Sequence, residues 1–115
     1  MAISEAYSGS ETVTTTEHSL STDTAGPDAD TNDGIYQCFI DFNALVAGDI
    51  FEFALYEKVL SSSTQRKVWT AQIAHAQSTP NWSSPSFILL HGWDMTLKKL
   101  AGTDRAIDWS IRKVA

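Results

Sequence analysis

The sequence predicts an all-β protein: a single antiparallel two-sheet β-sandwich, Ig-like or jelly-roll-like, with a flexible N-terminal arm. Three observations carry this. Apolar residues recur at every second position from residue 35 onward, and no segment holds a sustained helical stripe. Turn-forming clusters interrupt these runs at intervals of about 8–12 residues, the spacing of sandwich strands. The 115 residues are 43% apolar and 19% charged, the composition of one globular domain with room for a core. An open barrel is the structural alternative. Residues 1–20 are expected to be a Ser/Thr-rich arm or edge strand, and residues 21–115 the sandwich.

In chain order, residues 8–33 are rich in Ser, Thr, Asp and Gly, and Val13 and Thr15 are spaced for one edge strand. From Ile35 to Leu45, Tyr36, Cys38, Ile40 and Phe42 share one phase, with Gln37, Asp41 and Asn43 in the other, as in a half-buried strand. Ala47-Gly48-Asp49 turns the chain into an Ile50–Val59 strand whose inward set is Phe51, Phe53, Leu55 and Val59. The short connection predicts a hairpin between the two. After the polar loop Ser61–Thr64, a strand at Arg66–Ala76 puts Trp69, Ala71 and Ile73 on one face. Thr79–Pro85 contains two prolines and reads as a turn, not a strand interior. Phe87, Leu89, His91, Trp93, Met95 and Leu97 then share a phase, with Asp94, Thr96 and Lys98 opposite. Gly92 divides this run into two shorter pairings. Ala101–Asp104 is expected to close a final hairpin onto a strand with Ile107, Trp109 and Ile111 inside.

The net charge of −6 is unevenly distributed. Residues 1–57 hold 11 acids and no Lys or Arg, whereas residues 58–115 hold 8 bases and 3 acids, so the halves carry −11 and +5. Either acidic and basic strands become neighbours in one sheet, or an acidic face of one copy meets a basic face of another or of a partner. Nucleic-acid binding is not expected of an acidic chain without a concentrated basic surface. No apolar run approaches the roughly 20 residues of a spanning helix, so no membrane partner is expected. The opening residues lack the basic and apolar regions of a signal peptide. The lone cysteine, Cys38, excludes an internal disulfide and suggests folding in a reducing compartment.

Motifs for catalysis are not found. His18, His75 and His91 lack metal-ligand spacing, and zinc needs more clustered ligands than the sequence offers. There is no Gly-x-Ser-x-Gly elbow, and Cys38 falls on an inner face where thiols are inert. The Asp28–Asp33 loop resembles a calcium loop only superficially: Asp33 occupies the sixth position where an EF-hand needs Gly, and Phe39 the twelfth where it needs Glu. Other calcium geometries stay open there. No cofactor, metal or enzymatic activity is assigned. The candidate contact residues are Trp82 and Asn81: Trp82 lies among Pro, Asn and Ser, where an indole either stacks on a ligand or partner, or folds back to cap the sandwich. Asn81-Trp82-Ser83 is formally a glycosylation sequon.

The strings TDTAGPDAD (residues 22–30), IFEFALYEKV (50–59), LLHGWDMTL (89–97) and IDWSIR (107–112) resemble small virion structural proteins of tailed bacteriophages. The resemblance spans most of the chain after residue 20 and is one of phrases and texture, with no functional site to carry over. It implies a non-enzymatic structural component, a capsid decoration (cement) protein. Such a protein would be made in the host cytoplasm and carried in multiple copies, or as a homo-oligomer, on the capsid surface. Its partner would be the major capsid protein or another virion protein. The alternatives are a carbohydrate-binding β-sandwich using Trp82 and Asn81, and a tail, neck or fibre component.

Overall fold

A computed structural model describes residues 2–114, and those residues form ten strands and no helix. They are β1 (Ile3–Val13), β2 (His18–Ser19), β3 (Thr24–Ala25), β4 (Gly34–Asp41), β5 (Ile50–Glu57), β6 (Arg66–Ala74), β7 (Asn81–Ser83), β8 (Phe87–Leu89), β9 (Asp94–Ala101) and β10 (Arg105–Val114). The first sheet has the order β1-β10-β4, with β7 and β8 one after the other along the remaining edge of β4. The second runs β3-β2-β9-β5-β6, and all pairings are antiparallel. Setting aside the small β3, the chain changes sheet at every connection except β5–β6 and the step within the β7–β8 edge. Two such interleaved sheets form a jelly roll.

The alternating residues converge between the sheets. Tyr36, Cys38 and Ile40 of β4 and Ile107, Trp109 and Ile111 of β10 face Phe51, Phe53 and Leu55 of β5 and Met95 and Leu97 of β9, all buried. Burial of such side chains contributes about 1.5–3 kcal/mol each before the entropy of ordering is counted.

Several sequence expectations change. Residues 3–13 take the edge-strand form of the two considered for the N-terminal segment: β1 pairs with β10 from Ile3↔Val114 to Val13↔Arg105, interrupted by a bulge between Glu5 and Tyr7. The two expected hairpins, β4–β5 and β9–β10, are instead crossings between sheets, because both strands of each pair already have neighbours on their own sheet. Val59 is not inward but 81% exposed, since β5 ends at Glu57. Asn81–Ser83 is a short strand after all: Pro80 and Pro85 flank it, so neither removes a ladder donor. Asp94 and Thr96, placed by alternation on an outer face, are buried because β2 lies along β9 and the following loop crosses over them.

The division at Gly92 takes the expected form. Its φ of +153° is rarely open to other residues, and β8 ends in the first sheet before β9 begins in the second. The amides of Leu90, His91 and Gly92 all donate to the Glu57 carboxylate, at 2.7, 3.3 and 3.0 Å, which anchors this crossing to the end of β5.

Candidate functional site

The outer face of the first sheet carries the feature that needs a functional account. Alternation turns Ile3, Ile35, Ile88 and Val114 away from the core, and the register brings them into one line: Ile3 is opposite Val114, Val114 opposite Ile35, and Ile35 opposite Ile88. Four strands thus contribute one aliphatic side chain each to an unbroken row. Ile3, Ile35 and Ile88 are 66%, 41% and 85% exposed. Isolated exposed aliphatics are ordinary, but contiguous ones mark interaction surfaces.

Beside this row lies a hollow of about 230 Å³, lined by Ile3, Ile35, Gln37, Phe39, Arg112 and Val114 among others. Arg112 forms its wall: the guanidinium sits 4.0 Å from the Phe39 ring centroid, and its Nε donates to Ser110 Oγ at 3.3 Å. The Ser110 hydroxyl donates in turn to Glu5 at 2.6 Å, and this bond lowers the Glu5 carboxyl below its ordinary range. A second hollow, about 290 Å³, continues past Phe39 to Asp41, Asn81 and Asp108. Asp41 and Asp108 are directly opposite in register. The face is therefore graded, with an aliphatic end, a cation stacked on an aromatic ring in the middle, and an acidic end. Such a surface suits docking of a protein with complementary side chains.

Of the two residues singled out from the sequence, the structure places only Asn81 on this face. Trp82, its neighbour in β7, points the other way. Its ring is stacked on Trp69 (6.3 Å, 29°) and tilted against Phe53 (5.1 Å), with Phe42 edge-on at 6.0 Å. It closes the side of the sandwich where β6 and β7 meet, in the capping arrangement. The row was missed because each of its members is one apolar residue in an otherwise polar phase, and only the register aligns them.

Other chemistry-bearing groups serve the fold. Cys38 is fully buried, and burial pushes its thiol well above the ordinary range. In the Asp28–Asp33 loop the acids have separate duties: Asp28 accepts from Thr22 and Thr24, and Asp30 accepts from Tyr7 and from the Asn32 amide. The buried Asp94 carboxylate accepts from Ser19 Oγ (3.0 Å), Ser21 Oγ (2.7 Å) and the Asp28 amide (2.8 Å), and burial nonetheless raises its carboxyl above the usual range. One further convergence had no signal in the sequence: Glu11, His18 and Asp23 each bring a potential ligand atom within 4.8 Å of the others. A spacing of seven and five residues spells no motif; the return of the chain from β1 into β2 creates it.

Fold and face together define a small jelly-roll sandwich with a graded outer sheet. No protein family matches the chain, and no match was found among curated proteins or solved structures.

Proposed function

We propose that this chain is a non-enzymatic virion structural protein, a capsid decoration protein that docks on the outer shell of a tailed-phage particle through the outer face of its first sheet. The observation that carries the docking is the aliphatic row Ile3–Val114–Ile35–Ile88. Covering it would remove the exposed apolar surface of four strands from water, worth roughly 25 cal/mol per Å², and repeated copies on a symmetric shell would multiply weak contacts into firm attachment. The choice of a phage particle in this proposal rests on the resemblance of residues 22–30, 50–59, 89–97 and 107–112 noted above. Jelly rolls are used in viral capsids and in lectins alike, an analogy of architecture that is consistent with this reading without selecting it. A carbohydrate site built on Trp82 has less in its favour, since that indole is engaged with Trp69 and Phe53.

The test is co-sedimentation of the purified chain with empty shells assembled from the major capsid protein of a tailed phage whose genome encodes this chain. Wild type is expected to pellet with shells, and Ile88→Asp and Ile35→Asp, folded by circular dichroism, to stay in the supernatant. Failure of the wild type to bind, or undiminished binding by both variants, would overturn the proposal. Sedimentation with tails or necks instead would move the same face to another virion protein.

A further inference from the structure

We propose that Glu11, His18 and Asp23 form a site for a divalent transition cation, zinc in the first instance, that clips the two sheets together on the side where β1 leads into β2. Three segments supply one ligand each: Glu11 from β1 at the edge of the first sheet, His18 from β2 in the second, and Asp23 from the turn leading to β3. Their ligand atoms all lie within 4.8 Å of one another, and His18 Nε2 is 2.7 Å from Asp23 Oδ1. Ligands bound to tetrahedral zinc at about 2.0–2.2 Å sit about 3.4 Å apart. The His18–Asp23 separation is shorter than that and the others do not exceed 4.8 Å, so side-chain rotations of about an ångström would complete the geometry.

The ligand type and the local charge point the same way. One imidazole with two carboxylates suits zinc, whereas calcium and magnesium take oxygen alone. The imidazole is already oriented, because its ring meets Trp109 edge-on at 5.5 Å and Trp109 Nε1 is held by the Leu20 carbonyl at 2.8 Å. Glu11 and Asp23 bring two like charges together in a half-chain that contains no Lys or Arg. Among the described residues no Lys or Arg forms an ion pair with either. A bound cation neutralises that pair, and the exposure of both carboxylates leaves its fourth position to water.

The site's place in the fold gives it a purpose. The side where β6 meets β7 is closed by the Trp69–Trp82 stack. On the opposite side β1 and β2 belong to different sheets, and a metal bound to Glu11 and His18 would join the two directly. A ligand set that forms only in the folded chain couples metal affinity to stability.

The test is titration of the metal-free full chain with Zn²⁺ by calorimetry, followed in parallel by tryptophan fluorescence and Tm. The expected result is one zinc per chain, a fluorescence change from Trp109 and a raised Tm that EDTA reverses. Glu11→Gln, His18→Asn and Asp23→Asn should each weaken binding by about tenfold or more, and His75→Ala and His91→Ala should bind as wild type does. Glu11→Gln and Asp23→Asn alter exposed side chains, so they keep the test decisive if His18→Asn fails to fold. Absence of saturable binding, wild-type affinity in Glu11→Gln and Asp23→Asn, or an equal response to Ca²⁺ would each overturn the proposal.

Discussion

Asp49 shows how one carboxylate holds two loops at once. Fully enclosed beside the β9–β10 crossing, it accepts from Arg105 Nε at 2.7 Å and from the amides of Thr103 and Val46 at 3.0 Å each. Arg105 first, then those two amides, hold its carboxyl well below the usual carboxylate range. Because the folded pKa lies below the unfolded one, the stability it contributes is fully present above about pH 4 and is lost as pH falls toward the folded value. Asp49→Asn should therefore lower the urea midpoint at neutral pH and flatten its decline below about pH 4. An acid limb identical to that of the wild type would show that Asp49 is not its source. Asp94 shifts in the opposite direction because burial outweighs its donors. The sequence displayed both acids but not this difference, which depends on what the folded chain lays over each.

Within β7 the alternation of a three-residue strand separates two neighbours that looked like one site. Asn81 faces solvent beside Asp41 and Asp108, whereas Trp82 fills the gap between the sheets. Trp82→Ala should cost about 3 kcal/mol of unfolding free energy, as truncated aromatics in packed sites do, and Asn81→Ala less than about 0.5 kcal/mol. Chemical denaturation of both variants checks this, and equal losses would contradict the assigned faces. Legibility followed strand length. In β4, β5 and β10, with eight to ten residues each, period two identified the inner face correctly. β7 is too short to show a period, and its flanking prolines dominated the reading. Between Ile3 and Val13 β1 is mostly Ser, Glu, Gly and Tyr with no large aliphatic residue, so its sheet membership rests on β10. Gly9 lies so close that a Cβ there would stand 2.5 Å from the Trp109 ring.

Over the whole molecule, the chain doubles back at the polar loop after β5, and its first half lies against its second. Every ladder except β2–β3 joins a strand from before residue 58 to one from after it. The imbalance of −11 against +5 is thereby dispersed across both sheets: Glu52 of β5 lies between Lys67 of β6 and Lys98 of β9, at 3.3 and 3.8 Å. The sequence contained this charge split and the two-sheet class, but not the sheet changes, because a short polar connection reads alike whether it closes a hairpin or crosses the sandwich. Deleting residues 2–13 would strip β10 of a neighbour along its whole length, together with the buried Val13 and the contacts of Tyr7 with Trp93 and Asp30. The truncated chain should lose cooperative thermal unfolding and near-ultraviolet circular dichroism; retention of a sharp transition would show that β1 is dispensable. The same pairing governs biosynthesis. β1 and β10 pair although every other strand lies between them in the chain, so their ladder closes only after all the intervening strands have been made.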